Sequence, residues 1–223
     1  TKMTFKIDEL ILHKKKFLSE KECDSLIKYY EDNKEEKLNE FCDHAVTGET
    51  ITSPNNVITL EYGTSEEKLV ADKTEKMINL FMKHTEKFKM FHVLRKISMR
   101  FSHRLRLMKY KKGAWIHPHV DHEIFVYGSC TFNLNDDYEG GEFHFFNGKK
   151  KIKLGRGDAM IWPADYYWVH QVTPITKGAR YSTNSFLQSV PNSIKENVLN
   201  FSRLLQDKHV AQPEKDGRMY NIK

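Results

Sequence analysis

The sequence predicts an α+β protein whose helices come first and whose strands then form a sandwich or a jelly-roll barrel. Two amphipathic stretches with a helical period fall in the first part of the chain, and short runs of strand character follow from residue 96 onward. Glycine-containing turns separate these runs at close spacing. Helices followed by many short strands are typical of α+β folds with such a β-core.

The N-terminal helices are predicted from capping and periodicity. Ser19 and Glu22 form a capping box ahead of an amphipathic run over residues 20–33. A second apolar stripe with a helical period extends over residues 65–91. Between the two helices, residues 57–62 are typical of a strand.

The strands are predicted from a change of period at Lys96. Residues 96–108 alternate strictly: the odd positions are apolar or histidine, and three of the even positions are arginines. Asn147-Gly148 predicts a type I′ hairpin turn between two later strands. The later strands are predicted at residues 130–135, 142–146, 150–154, 158–163, 166–172 and 179–188.

The length of 223 residues is enough for one large domain with a sizeable core. We divide the chain into a helix-and-strand support region at 1–95, a jelly-roll core at 96–190, and a C-terminal helix with an irregular tail at 191–223. The C-terminal helix is predicted by a capping box of Ser193 and Glu196.

Cysteine usage and hydropathy predict the compartment. Cys23, Cys42 and Cys130 are widely spaced, which argues against a disulfide framework or a CxxC zinc site. No run approaches the 18 apolar residues of a membrane-spanning helix, and no secretory signal pattern is found. We therefore expect a soluble, cytoplasmic protein that has no membrane partner.

The net charge of +6 is concentrated in one segment. Eight basic residues and no acidic one lie between residues 95 and 112. The rest of the chain is slightly acidic, so the excess marks a local basic segment and not a basic protein.

Two histidines and one aspartate form the strongest candidate for a chemical site. His119 and Asp121 are two residues apart, so on a strand they share one face, and His170 would arrive from a second strand. Two histidines and a carboxylate are the facial triad of non-haem Fe(II) oxygenases, which leaves coordination positions open. The pattern alone is weak, because the composition of the chain yields about 0.6 such HxD pairs by chance.

Arg180 strengthens this interpretation, since it follows His170 by ten residues and lies just after Lys177-Gly178. An oxygenase of this type holds 2-oxoglutarate, whose distal carboxylate requires a fixed cation. A buried guanidinium provides that cation in bidentate geometry.

Further motifs occur in a characteristic order. Together they make the chain resemble the Fe(II)- and 2-oxoglutarate-dependent dioxygenases, in the prolyl 4-hydroxylase-like branch. The resemblance spans about residues 17–188 and includes the stretch FLSEKECDSLI, which is similar to the first helix of the family. The motifs that carry it are Tyr110-Lys-Lys-Gly113, Leu134-Asn135-Asp136-Asp137, Gly140-Gly141-Glu142, Gly157-Asp158, Trp162-Pro163, His170 with Pro174, and Gly178-Ala-Arg180.

The resemblance implies a double-stranded β-helix (jelly-roll) core, with the N-terminal helices packed on one sheet. It implies that His119, Asp121 and His170 bind Fe(II) as the catalytic centre, that Arg180 pairs with the C5 carboxylate of 2-oxoglutarate, and that Tyr110 lies near this cosubstrate. The implied reaction couples oxidative decarboxylation of 2-oxoglutarate by O2 to hydroxylation of a substrate, a protein or peptide proline. Ascorbate is a further expected cofactor.

Two positions depart from the family pattern. Asn133 stands where the family often has a tyrosine that binds 2-oxoglutarate, and Phe186 stands where it often has a tryptophan. An asparagine can still donate or accept a hydrogen bond, so we keep Asn133 as a cosubstrate contact. By alternation Thr131 shares its face, and it is a second such candidate; Ser182, Asn184 and Phe186 share the face of Arg180.

Four residues are candidates for substrate contacts. Arg106 lies on the same strand face as Tyr110. We therefore hypothesise that Arg106, with Arg104 as a secondary candidate, approaches the substrate entrance and favours an acidic substrate. The alternative is that these arginines form a solvated charged face. Tyr166 and Trp168 precede His170 and form either a substrate lip or ordinary aromatic packing.

Two other histidines have simpler interpretations. His117 is expected behind the metal ligands or in solvent, and His144 is expected in the barrel wall.

Other functions remain open at this point. One alternative is an enzyme that acts on another amino acid or on nucleic acid. The others are a catalytically silent jelly-roll binding module and a zinc hydrolase. Nucleic acid is disfavoured, since the demethylase branch carries an RxNxTxR pattern where this chain has the segment RYSTNSF from Arg180 to Phe186. Neither a silent module nor a hydrolase would need Arg180 beside a complete triad.

Overall fold

The computed structural model describes residues 6–33, 38–88, 98–102, 105–121, 125–191 and 218–222. Two α-helices lie in these ranges, α1 at Glu20–Asp32 and α2 at Ser65–Thr85, with short 3₁₀ turns at Ile7–Leu10 and Glu86–Phe88. The predicted capping box at the start of α1 is confirmed, because the Ser19 hydroxyl accepts from the Glu22 amide while the Glu22 carboxylate accepts from the Ser19 amide. The predicted C-terminal helix lies outside the described residues.

The strands are numbered in chain order: β1 Leu12–Lys14, β2 Leu38–Asp43, β3 Thr50–Thr59, β4 Phe101–Ser102, β5 Leu105–Tyr110, β6 Ile116–His119, β7 Val126–Asn133, β8 Glu139–Gly140, β9 Phe143–Phe145, β10 Lys150–Ile152, β11 Ala159–Pro163, β12 His170–Val172, β13 Ile175–Lys177, β14 Arg180–Gln188 and β15 Arg218–Met219.

Two antiparallel sheets make up the β-core. The larger sheet has the order β1-β11-β7-β14-β5-β3-β2, with β4 and β15 attached at the far end of β14. The smaller sheet has the order β10-β9-β12-β6, and β8 pairs with β13. The predicted jelly-roll fold is confirmed.

The two faces of the larger sheet have different chemistry. Its outer face is apolar and packs on α1 and α2, so that Leu105 and Leu107 of β5 join Leu26 and Met77 in one buried cluster. The inner face, which includes Arg106, is turned toward the smaller sheet. The predicted separation of faces along β5 is therefore confirmed, and the N-terminal helices pack on the outer face as expected.

Several predicted boundaries differ from the structure. The long strand predicted from Lys96 is interrupted, because Ser98–Arg100 is not extended and only β4 and β5 are strands among its described residues. Residues 166–169 form a turn and not a strand, since Asp165 accepts the amides of Tyr167 and Trp168. Strand β2 was not predicted, because its sequence is largely polar.

The end of the chain is also more ordered than its polar sequence predicts. Strand β15 pairs with β4, and Tyr220 is buried with its hydroxyl 2.5 Å from the Ser102 hydroxyl. Arg218 forms an ion pair with Glu67 of α2. Residues 218–222 therefore dock on the core through tertiary contacts that local sequence does not specify.

The predicted hairpin turn at Asn147-Gly148 is confirmed. Both residues have positive φ, 54° and 78°, and the Lys149 amide donates to the Phe146 carbonyl at 3.2 Å. A type I′ turn requires positive φ at both central positions, which asparagine and glycine tolerate.

Asp158 anchors β1 to the rest of the larger sheet. Its carboxylate accepts from the Gly155 amide at 2.9 Å and the Lys16 amide at 2.9 Å, and it pairs with His13 Nε2 at 2.8 Å. Burial alone would raise the pKa of Asp158, but these three donors outweigh it and hold the pKa below its ordinary value.

Among the described residues, neither helix combines the length and the apolarity that crossing a bilayer requires.

We predict that Asp158→Asn lowers the free energy of unfolding by about 1–3 kcal/mol near neutral pH, because it weakens hydrogen bonds to a buried anion. Because the pKa of Asp158 is lower in the folded state, this stabilisation is complete above the unfolded-state pKa and is lost as the pH falls toward the folded-state pKa. The difference between wild type and variant should therefore shrink as the pH falls below about 4. Denaturant unfolding at a series of pH values measures this.

The exposed Asp24→Asn change is the control, for which we expect less than about 0.5 kcal/mol. A deficit of Asp158→Asn that stays constant down to pH 3 would contradict the prediction.

Candidate active site

The predicted triad comes together on the smaller sheet. His119 at the end of β6 is directly paired with His170 at the start of β12, and Asp121 follows two residues after His119. One ligand atom from each of the three residues lies within 4.8 Å of the others. Asp121 Oδ1 is 3.3 Å from His119 Nε2, and Asp121 Oδ2 is 3.6 Å from His170 Nε2.

Backbone carbonyls fix both imidazole rings. His119 Nδ1 donates to the His117 carbonyl at 2.9 Å, and His170 Nδ1 donates to the Trp168 carbonyl at 3.0 Å. A ring whose Nδ1 carries the proton presents a lone pair at Nε2. Both Nε2 atoms therefore face Asp121 in the tautomer that a metal ion requires.

The electrostatics of the triad suit a cation. Burial alone would raise the pKa of Asp121, but His170 and His119 lower it well below its usual range, so the carboxylate is ionised. Burial lowers the pKa of His170 to about 4, whereas for His119 the opposing effect of Asp121 exceeds that of burial and raises the pKa. Asp121 Oδ2 has no hydrogen-bond donor among the described residues.

These residues fit a non-haem iron. Two imidazole nitrogens and one carboxylate oxygen are the donor set that divalent iron accepts while other positions stay open. The open side of the triad faces a cavity between the two sheets. The cavity is lined by Glu40, Arg106, Met108, Tyr110, Ile116, His119, Asp121, Thr131, Phe143, Trp162, His170, Val172 and Asn184.

Arg180 is buried beside this cavity without an anionic partner. Its side chain is among the largest that are fully buried, and its Cζ lies 5.0 Å from the ring centres of both Tyr110 and Phe143. Neither terminal guanidinium nitrogen has a hydrogen-bond partner in the described part of the chain. A buried cation with two free donors creates a strong preference for a carboxylate ligand.

Asn133 holds this guanidinium in place. Its Oδ1 accepts from Arg180 Nε at 2.9 Å and from the Tyr138 hydroxyl at 3.2 Å. Its Nδ2 donates to three carbonyls, of Asn135 at 2.6 Å and of Leu154 and Gly155 at 3.2 Å. The amide is thus engaged at both ends within the protein, and direct contact with 2-oxoglutarate stays a prediction.

Tyr110 and Thr131 both line the cavity. The Tyr110 hydroxyl makes a 3.7 Å contact to Met108 Sδ, and its ring lies near Arg180 on the neighbouring strand. The Thr131 hydroxyl donates to the Thr183 carbonyl at 2.6 Å. Their contact with a cosubstrate also stays a prediction.

The Trp162 indole is a site feature that sequence reasoning treated only as part of a motif. Its Nε1 is a buried donor in the cavity wall with no partner among the described residues. The Ser182 hydroxyl, two residues after Arg180, is likewise buried and unpaired there. Ser182 was predicted to share the face of Arg180, so the Trp162 indole is the polar group that the sequence analysis did not assign to the site.

Arg106 lines the cavity, as hypothesised, but its charge is already balanced. Its Nη1 donates to Glu40 Oε1 at 2.6 Å, and its Cζ lies 4.5 Å from the Phe186 ring centre. Burial would lower the pKa of Arg106, but Glu40 and Asp121 outweigh it and raise the pKa. The expected preference for an acidic substrate stays a prediction, but Glu40, on a strand that was not predicted, already neutralises the cation on which it depends. Arg104 lies outside the described residues.

The predicted aromatic lip is only partly at the surface. Trp168 is 2% exposed and packs against Phe146, with ring centres 5.3 Å apart. The substrate-lip interpretation is therefore wrong for Trp168, which is a core residue whose carbonyl orients His170. Tyr166 is exposed and packs on Tyr167, and it does not line the cavity, so its substrate contact stays a prediction.

His117 and His144 lie where they were expected. His117 is buried, its Nε2 faces the Cys42 carbonyl at 3.1 Å, and its own carbonyl supports His119 behind the triad. His144 lies on β9 in the barrel wall, 3.2 Å from the Glu142 carboxylate.

Comparison with known proteins identifies the core. Residues 105–188 match the model of the 2OG-Fe(II) oxygenase superfamily. The matched segment, which is less than half of the chain, is similar to that superfamily. The match covers the strands that carry the triad, Arg180 and most of the cavity wall.

Curated relatives match part of the chain. A PKHD-type hydroxylase of Idiomarina loihiensis is 30% identical over 95 residues, which cover 39% of this chain and 43% of that protein. A PKHD-type hydroxylase of Saccharophagus degradans is 41% identical over 68 residues, covering 30% of this chain and 29% of that protein. The matched segments thus span less than half the length of these relatives.

Solved structures share the fold over most of the chain. A viral collagen prolyl hydroxylase from Paramecium Bursaria Chlorella virus-1, in its 2OG complex, aligns with a TM-score of 0.56 at 17% identity and covers 81% of this chain and 96% of that one. A prolyl hydroxylase from Trichoplax adhaerens, in complex with a hypoxia inducible factor peptide fragment, aligns with a TM-score of 0.59 at 12% identity and covers 90% and 88%. These likenesses support the predicted jelly-roll fold, and the match over residues 105–188 supports the predicted superfamily.

We predict that Mn(II) or Co(II), or Fe(II) without oxygen, stabilises the wild-type protein against thermal unfolding. At a free metal concentration 100 times the dissociation constant, linkage adds about 2.7 kcal/mol to the free energy of unfolding. Asp121→Ala should lose most of this gain, because it removes the anionic ligand of the triad. Asp24→Ala, which removes an exposed carboxylate on α1, should keep it. Equal stabilisation of wild type and Asp121→Ala would show that the metal binds elsewhere.

Proposed function

We propose that this protein is a non-haem Fe(II) dioxygenase that couples decarboxylation of 2-oxoglutarate to hydroxylation of a substrate, a peptidyl proline. The proposal rests on two sites that lie beside one cavity and that each need a ligand, a metal site and a carboxylate site. The triad of His119, Asp121 and His170 converges on an open position, and Arg180 lies buried with two unpaired donors. A metal and a dicarboxylate complete both sites at once.

Each residue of the site has a role in this reaction. His119 and His170 would offer their Nε2 lone pairs to Fe(II), and Asp121 would add one carboxylate oxygen. Arg180 would bind the C5 carboxylate of 2-oxoglutarate through its terminal nitrogens while Asn133 fixes its orientation through Nε. When bound, Fe(II) and 2-oxoglutarate supply the oxidising chemistry by activating O2.

The rest of the cavity wall protects and orients the reactants. Phe143, Trp162 and Val172 lie around the triad and exclude water from one side. Tyr110 and Thr131 would border the cosubstrate. Ascorbate would act as a reductant that keeps the iron ferrous.

The proline substrate is supported by the fold and by the relatives. The structural neighbours named above are prolyl hydroxylases, and one of them is in complex with a peptide fragment. The cavity between the sheets lies beside the triad, so a side chain of a protein or peptide would approach the metal from there. We further propose that the enzyme acts in the cytoplasm.

We predict that the wild-type protein converts 2-oxoglutarate to succinate only when Fe(II) is present. Asp121→Ala should reduce this turnover to background, since removal of a group that acts as part of a unit abolishes the function of the whole unit. Succinate and CO2 release, measured with a panel of proline-containing peptides and with mass spectrometry for an added oxygen, test the reaction. Absence of metal-dependent succinate with every peptide would refute the enzymatic proposal, whereas Zn(II)-dependent hydrolysis would favour a hydrolase.

We predict that Arg180→Ala weakens 2-oxoglutarate binding about a hundredfold or more. An unpaired carboxylate in a buried site costs about 3–5 kcal/mol, which corresponds to that factor. Arg180→Lys should be milder, because it restores the charge but not the bidentate geometry. Titration of the Mn(II)-loaded protein with 2-oxoglutarate measures the dissociation constant without turnover.

The matched control for these changes is Arg156→Ala, which removes an arginine paired with Asp24 at the surface. If Arg180→Ala bound 2-oxoglutarate as tightly as this control, the cosubstrate anchor would have to lie elsewhere.

A further inference from the structure

The inner face of the larger sheet carries a second polar cluster, next to the triad and separate from Arg180. Arg106 of β5 and Asn184 of β14 are directly paired neighbours, and both line the cavity that contains His119 and Asp121. Asn184 is 9% exposed, and the Arg106 side chain is 13% exposed. Neither residue contributes to the predicted metal site or to the carboxylate site.

Glu40 and Phe186 hold the Arg106 side chain in one orientation. Arg106 Nη1 donates to Glu40 Oε1 at 2.6 Å, and the guanidinium lies over the Phe186 ring at 4.5 Å. The other Glu40 oxygen accepts from Asn55 Nδ2 at 2.9 Å. Because both of its oxygens accept hydrogen bonds within the protein, Glu40 is itself held in place and positions Arg106.

Two atoms of this cluster lack partners. Arg106 Nε is a buried donor and Asn184 Oδ1 is a buried acceptor, and neither has a hydrogen-bond partner among the described residues. Buried polar atoms in native proteins are almost always satisfied, so an unpaired donor and an unpaired acceptor on adjacent strands indicate a missing ligand group. One donor and one acceptor side by side complement an amide, which offers a carbonyl and an N–H.

The charge of the cavity selects an amide over a carboxylate. Since Glu40 already neutralises Arg106, a substrate carboxylate would be buried beside a neutral ion pair. A buried charge without a partner is strongly disfavoured, whereas a neutral amide needs only hydrogen bonds. The same argument disfavours a free amino acid, which carries a carboxylate where a peptide carries an amide.

We propose that Arg106 and Asn184, with Arg106 held by Glu40, form a specificity subsite that binds an uncharged amide group of the substrate. Arg106 Nε donates to the carbonyl of the residue that is hydroxylated, and Asn184 accepts the N–H of the residue that follows it. This inference rests on the proposed function and narrows its substrate to a residue inside a peptide chain.

Two probes that differ in one group test the subsite. Acetyl-alanyl-prolyl N-methylamide ends in an amide, and acetyl-alanyl-proline ends in a carboxylate at the same place. Binding of each is measured by titration into wild-type protein loaded with Mn(II) and 2-oxoglutarate. We expect the amide to bind at least about tenfold more tightly than the carboxylate. A carboxylate probe that binds as well as the amide, or amide binding too weak to detect at millimolar concentration, overturns the inference.

Variants of the subsite should remove this preference. The double change Glu40→Gln with Arg106→Gln leaves no unpaired charge, and we expect it to weaken amide binding about tenfold to a hundredfold. Asn184→Leu keeps a similar volume and should weaken binding about threefold to tenfold. If both variants bound the amide probe as wild type does, the inference would be wrong.

A matched control exists on the same strand. Lys109 of β5 points to the opposite face, where its Nζ pairs with Glu31 Oε1 at 2.6 Å. The double change Glu31→Gln with Lys109→Gln should leave probe binding unchanged, and a loss equal to that of the subsite variants would indicate general damage to the sheet. Fe(II)-dependent succinate formation by the wild type is recorded in parallel. If succinate is formed but the amide preference is absent, only the subsite inference is rejected. If no succinate is formed, the proposed function itself is rejected.

Discussion

Burial of charge between the two sheets is the constraint on which this molecule depends. Asp121, Arg106 and Arg180 all lie on the inner faces of the jelly roll, where an uncompensated charge is costly. His119, whose pKa is raised, partly compensates Asp121, and Glu40 compensates Arg106. Among the described residues Arg180 has no anionic partner and lies beside a neutral amide and two aromatic rings. A one-residue slip of β5 or β14 would move their inner side chains to the outer face. The site can therefore form only when the sheet has its correct register.

The outer face of the larger sheet supplies the stability that lets the inner face stay polar. Helices α1 and α2 cover leucines, methionines and aromatic residues in one continuous buried cluster. Asp158 adds a local anchor by joining β1 to the loop before β11. Stability and chemistry are thus divided between the two faces of one sheet, and unpaired polar atoms such as Trp162 Nε1 are tolerated because the helices bury apolar surface elsewhere.

The backbone preorganises the site as much as the side chains do. The carbonyls of His117 and Trp168 set both histidine tautomers, and three further carbonyls orient the Asn133 amide that holds Arg180. Such contacts fix donor directions before any ligand arrives, which lowers the entropy lost on binding. The same holds for Arg106, whose orientation is fixed by an ion pair and a ring, so that the proposed amide subsite would be formed in advance.

The sequence by itself determined the residues whose signal is local. The HxD spacing, the position of Arg180, the capping box at Ser19 and the two faces of β5 all follow from periodicity and motif order, since neighbours along a strand or helix share a face for purely geometric reasons. Only the tertiary structure decided which distant residue meets each face. Glu40 pairs with Arg106 although 66 positions separate them in the sequence. Trp168 packs against Phe146 in the core and does not form a surface for a substrate. Strand pairing and core packing select these partners through shape and compensation of charge. Such long-range contacts produce no periodic pattern in the sequence.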